Sequence, residues 1–127
     1  MAGGSKKRMT AYIPILRSVF EKFIGSSSLM VLEYQLSKKY PGANPYELLL
    51  DSPQKFYEAL VPIFGTDGSL LFLKLIIKHV IERYGLVELN PDEITNTLIH
   101  GEEEAKNILI RILERLSLLE NKPSAGS

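Results

Sequence analysis

Apolar side chains recur along most of this chain at spacings of three and four, the pattern of helices that bury one face. The first such stretch opens at Thr10, a residue able to cap, and sets Ile13, Leu16, Val19, Phe20 and Phe23 on one side. Pro14 suits this helix only in its first turn, because proline lacks the amide hydrogen required deeper in. After Ile24, Gly25 supplies a stop, and Ser26, Ser27 and Ser28 offer hydroxyls to cap a second helix that reaches Lys39. Leu29, Leu32 and Leu36 form its inner face, with Val31 and Gln35 toward the edge.

Tyr40 to Pro45 is a turn-rich connector, since each proline pushes the residue before it out of the helical region. Asn44-Pro45 and Ser52-Pro53 are two helix starts in close succession, which implies a bent corner around a short turn ending at Leu50. From Pro53 the residues Phe56, Tyr57, Leu60, Val61 and Phe64 share a face, with Gly65 as the stop and Pro62 loosening the last turn. Asp67 then caps a helix over 69–84 in which Lys74, Lys78 and Glu82 form one polar stripe, flanked by His79 and Arg83. So wide an apolar arc predicts a central helix covered on several sides and closed by Gly85.

Residues 86–99 are open to two readings. Asn90-Pro91-Asp92-Glu93 is a helix start with acids in the first turn, whereas Val87, Ile94, Thr95, Thr97 and Ile99 are β-branched and suit a small hairpin. The helix from Pro91 is preferred. Beyond Gly101, Glu102-Glu103-Glu104 opens the last helix, where Ala105, Leu109, Ile112, Leu116 and Leu119 repeat as a heptad seam. Ile108 and Leu113 widen the seam, which suits packing onto a globular body, and Ile110 and Leu118 lie off it; the last helix either packs on the body or pairs with another chain. The fold expected is all-α, about five or six helices packed around the central apolar helix. It comprises a basic, irregular arm over 1–9, one domain over 10–120 and a polar tail over 121–127.

Composition narrows the function more by subtraction than by signature. With no cysteine among 127 residues, neither disulfides nor a thiolate zinc site can form, and a cytoplasmic setting is expected. Uninterrupted apolar runs reach four residues, as in Leu70–Leu73 before Lys74, short of the roughly twenty of a membrane span. The basic N-terminus leads into no signal-peptide core, so secretion is not expected. The net charge is zero but uneven: residues 1–85 carry eleven Lys and Arg against seven acids, and residues 86–127 carry four against eight. Abundant Leu and Ile with only two glutamines, Gln35 and Gln54, lean toward a thermophilic source.

Candidate chemistry is sparse. His100 beside Glu103 and Glu104 is a thin ligand set for a metal, and capping or solvation accounts for it and for His79. Glu102 with Lys106, and Lys78 with Glu82, have the spacing of exposed helix ion pairs. Gly25 and the three serines lack the second glycine and the Gly-Lys-Ser/Thr ending of a phosphate loop. The six tyrosines, Tyr12, Tyr34, Tyr40, Tyr46, Tyr57 and Tyr84, suit half-buried packing better than a ligand pocket. No catalytic residue, cofactor or metal site is expected.

Val19-Phe20-Glu21-Lys22-Phe23-Ile24-Gly25-Ser26-Ser27-Ser28, Leu32-Glu33-Tyr34-Gln35-Leu36, Pro53 to Leu60 with Ile63-Phe64-Gly65, and Leu73 to Ile77 together resemble a small archaeal domain family, the Nitrosopumilus-type output domain. The resemblance spans about residues 15–86. It implies a cytoplasmic archaeal interaction or signalling-output module with no catalytic residues to transfer. This sequence departs from the family by a segment added after about residue 86, which bears against a sensor-output role. The expected function is therefore non-enzymatic interaction, either with a protein partner or by self-association into a dimer. Leu109, Ile110, Ile112, Leu116, Leu118 and Leu119 of the last helix are the candidate contacts. The alternative is a winged-helix-like nucleic-acid-binding regulator that uses the hairpin and the cations Lys6, Lys7, Arg8, Lys38 and Lys39.

Overall fold

The computed structural model describes residues 2–121, with side chains over 10–119. Six helices follow one another, α1 (Ala2–Ile24), α2 (Ser26–Lys39), α3 (Pro45–Asp51), α4 (Pro53–Tyr84), α5 (Pro91–His100) and α6 (Glu102–Asn121). No strand occurs among the described residues, so 86–99 holds a helix and not a hairpin. Residues 122–127 of the expected tail lie outside the described residues.

Helix α1 starts at Ala2, well ahead of the expected start at Thr10. Ser5 to Met9 contain no helix breaker, and lysine, arginine and methionine are good helix formers, so the helix carries through the basic segment. Pro14 consequently lies deep inside α1 instead of in its first turn, and cannot donate to the carbonyl of Thr10. Helix α2 departs from expectation at its start. Its cap position is Gly25, which has no side chain to offer, and the amide of Leu29 donates to the Gly25 carbonyl at 3.0 Å. The three serines form the exposed first turn rather than the cap.

The double restart near residue 50 is as the prolines imply. The Asn44 carboxamide oxygen accepts from the amides of Tyr46 at 2.9 Å and Glu47 at 3.2 Å, with Pro45 opening α3. Ser52 then accepts from the Lys55 amide at 3.4 Å, with Pro53 opening α4. The sequence pattern divides the next stretch into two helices at Gly65, and the structure does the same, with a kink at that residue in place of a connector. Gly65 alone departs from helical geometry, at φ 79° and ψ 173°, and the helix resumes at once. Asp67 therefore sits within a turn and caps nothing. That backbone region is essentially restricted to glycine, so Gly65 breaks α4 into two helical halves that meet at a kink.

Helix α4 packs against each of the other five helices, which makes it the centre of the fold. Its first half meets α2 and α3. Phe20 of α1 stands edge-on to Tyr46 at 5.6 Å and to Phe56 at 6.0 Å, knitting α1, α3 and α4 together. Ile94 and Leu98 of α5, with Ala105, Leu109, Leu113 and Leu116 of α6, complete a continuous apolar core. Gly85 closes α4 in the left-handed region, at φ 68° and ψ 29°. Asn90 caps α5 by accepting from the Glu93 amide at 3.0 Å.

Candidate interaction surface

The seam expected on α6 faces the chain's own body. Leu109 and Leu116 are buried, Ile110 and Ile112 are partly buried against the core, and Leu118 and Leu119 alone point outward, 74% and 45% exposed. Heptad spacing places residues on one side of a helix without saying whose surface that side meets. Four of the six candidate contacts thus pack against the chain's own core. Arg115 anchors the same helix by pairing with Glu88 in the loop before α5. That pairing holds the Glu88 carboxyl below its ordinary range.

The candidate nucleic-acid residues are not assembled into a reading surface. Lys6, Lys7 and Arg8 lie on the first turns of α1, with side chains outside the described set, and no wing accompanies them. Lys38 and Lys39 are exposed in the last turn of α2. His100 faces Asn96 at 3.1 Å, and no cluster of three or more histidine, aspartate or glutamate side chains able to hold a metal occurs among the described residues. Neither expected helix pair, Glu102 with Lys106 or Lys78 with Glu82, closes. Lys74 instead bridges to Asp92 of α5 at 2.8 Å. The tyrosines do not gather. Tyr12 and Tyr46 are in the core, while Tyr34 stands 60% exposed on α2.

What the chain does present is an apolar groove between α2 and the first half of α4. Two adjoining depressions of about 530 and 560 Å³ share Val31, Gln35 and Ile63. One runs toward Lys38 and Lys39, past Ala59 and Pro62. The other runs toward Phe64 and Phe72. Next to this groove α2 turns Met30, Val31 and Tyr34 outward, 65%, 61% and 60% exposed. Clustered apolar exposure on that scale marks a contact surface more often than scattered leucines do. The aromatic floor is continuous: Phe64 stacks on Phe72 at 5.1 Å, and Phe72 meets Phe20 and Phe23, each at 6.0 Å.

Comparison with protein-family models, curated proteins and solved structures finds no match to this chain. The surface must therefore be read from its own chemistry. Two other depressions are open and lined by more ionisable side chains, one of about 430 Å³ between α4 and α5 beside Lys74, Asp92 and His100, and one of about 220 Å³ beside Ser52, Glu102 and Lys106. A wholly apolar void of about 60 Å³ inside the core is too small for more than a packing defect. Two buried polar atoms stand without partners, Ser69 Oγ and His79 Nε2, the latter on a ring that packs against Phe23 at 5.6 Å. They lie on one helix but form no catalytic pair in any hydrogen bond.

Helix α4 also answers a question that apolar runs answered differently. Over an 18-residue window its mean hydropathy is 1.7, so by length and composition it is apolar enough to cross a membrane. Pro62, Gly65 and Asp67 divide that stretch into short runs, so no uninterrupted apolar run marks it in the sequence. Mostly buried core helices of soluble proteins meet the same criterion, whereas 28% of this window is buried, although α4 touches every other helix of the bundle. The groove residues had been legible only in part. Leu29-Met30-Val31-Leu32 covers four successive directions around a helix, so some of these side chains had to face outward.

Proposed function

We propose that this chain is a non-enzymatic protein-interaction module that docks a helical segment of a partner in the α2–α4 groove. The observation that carries the proposal is Val31. It lines both depressions and is nonetheless 61% exposed, beside Met30 and Tyr34. The only ionisable groups lining the groove are Lys38 and Lys39, a set suited to burying and orienting an apolar partner rather than to making or breaking bonds. Two helical walls suit the helix-in-groove mode of recognition, since no strand edge is offered among the described residues. The same proposal takes in the cytoplasmic signalling setting that the resemblance to the archaeal output domain implies. Self-association through α6, the form expected from the sequence, would rest on Leu118 and Leu119, because Leu109 and Leu116 already serve the core.

The test is site-specific photocrosslinking from position 31, followed by reconstitution. A purified partner should bind the wild-type chain, lose most of its affinity on Val31→Glu, and keep it on Leu118→Glu. The reverse pattern would transfer the interaction to α6 and remove the groove from it.

A further inference from the structure

The two ends of the groove differ in charge. Lys38 and Lys39 line one end, the other is closed by Phe64 and Phe72, and no acidic residue lines either depression. Among the described residues neither lysine makes an ion pair. Their placement in the last turn of α2 offsets the dipole at that helix end, yet this leaves both ammonium groups free to meet a ligand. Lys38 Nζ lies 4.7 Å from the centroid of the Tyr34 ring, which keeps it at the groove rim. Lys22, Lys55, Lys78 and Arg111 are likewise exposed without an ion pair among the described residues, but none of them lines the groove, so Lys38 and Lys39 are set apart by their place at its end.

We infer that the occupant of this groove is an acidic amphipathic helix of another protein, its apolar stripe on Val31, Ile63 and Phe64 and its carboxylates against Lys38 and Lys39. The inference rests on the docking proposal above and adds the chemistry and orientation of the partner. The stretch of α2 from Ser28 to Lys39 spans about 16 Å, roughly three helical turns, so an occupant needs apolar residues at i, i+3 or i+4, and i+7, with acids clustered at one end. The apolar contacts supply most of the affinity, while the charges select the partner and fix its direction. A basic helix would place like charges together at the lysine end, which disfavours it.

The probes are two stapled helical peptides of about fourteen residues with the same leucine stripe, one carrying glutamates in a terminal turn and the other lysines. Binding to the full chain is followed by fluorescence anisotropy, and the footprint by amide chemical shifts. The acidic peptide should bind at least about fivefold tighter than its basic twin. The Lys38→Glu/Lys39→Glu double variant should invert that order. Val31→Glu should weaken the acidic peptide by more than about tenfold, with the far-ultraviolet spectrum and unfolding midpoint showing that the variant remains folded. Equal binding of both peptides in the groove would overturn the charge inference and leave docking intact. Shifts outside the groove, or none, would overturn docking itself. Concentration-dependent dimerisation abolished by Val31→Glu would make a second copy the occupant, and binding to phosphatidylserine vesicles abolished by the same change would make it a membrane. Either result overturns the inference.

Discussion

The phenol of Tyr46 donates to the carboxylate of Glu33 across 2.5 Å, tying α3 to α2. Arg17 Nε donates to the same oxygen at 3.0 Å, so one carboxylate joins three helices. Tyr46 is 4% exposed, and burial, then the bond to Glu33, raises its pKa well above the ordinary phenol value. The proton is therefore held more firmly in the folded chain than in the unfolded one. Stability from this group is complete below about pH 10, the unfolded pKa, and is lost as pH rises beyond it. Tyr46→Phe should cost about 1–2 kcal/mol in urea denaturation at neutral pH. It should also flatten the alkaline loss of stability above pH 10, and an unchanged alkaline profile would refute this account.

Gly65 sits at φ 79° and ψ 173° with nothing within 4 Å of where a β-carbon would stand. The penalty for a side chain there is one of backbone conformation alone. Gly65→Ala should lower stability by about 1–3 kcal/mol. Gly85→Asn, at φ 68° and ψ 29°, should be nearly neutral, because asparagine tolerates the left-handed region. Thermal unfolding of the two variants separates them; equal midpoints would show that the bend is not enforced by Gly65.

Ser69 is wholly buried and its hydroxyl has no partner. An orphaned buried hydroxyl lowers stability, and alanine is also the better helix former. Ser69→Ala should therefore raise stability by about 1 kcal/mol. A clear loss in calorimetry would mean that the hydroxyl has a function that its surroundings do not reveal.

The apolar void of about 60 Å³ implies a packing deficit of about 1.4 kcal/mol at the usual cost per unit cavity volume. Val19, which lines it and is 4% exposed, can extend into it by one methylene. Val19→Ile should add about 0.5–1 kcal/mol, while Leu113→Ala should remove about 3–5 kcal/mol by enlarging the same void. Guanidinium denaturation measures both, and a destabilised Val19→Ile would show the void to be shaped against growth there.

Most of the helical plan could be read from local signals. Asn44-Pro45, Ser52-Pro53 and Asn90-Pro91 mark helix starts that the structure places at those residues, because a side-chain acceptor followed by proline satisfies and preorganises a first turn. Where two signals competed locally the reading was weaker. Gly25 took the cap position from the serines behind it, and the bend at Gly65 left no gap for Asp67 to cap. The surface was the least legible part. Val31 and Ile63 are far apart in sequence, and each alone looks like an ordinary edge residue. Only the packing of α2 on α4 reveals that both face one groove. The α6 seam was legible as a seam but not as to its partner, since its spacing is equally consistent with packing on the body and with pairing with another chain; Leu109 and Leu116 meet the body.

Helix α2 is the most lightly attached of the six, touching only α1, α3 and α4, and it rests on Leu29, Leu32 and Leu36 between connectors that contain Gly25 and Gly42. Such a segment opens at lower free energy than the rest of a domain. Its amides should exchange with deuterium ahead of those in the second half of α4, while the other helices stay assembled. The groove then has one fixed wall and one yielding wall. An occupant that fills it would slow exchange throughout α2, so recognition would be recorded as a change in the lifetime of a helix as well as in contacts.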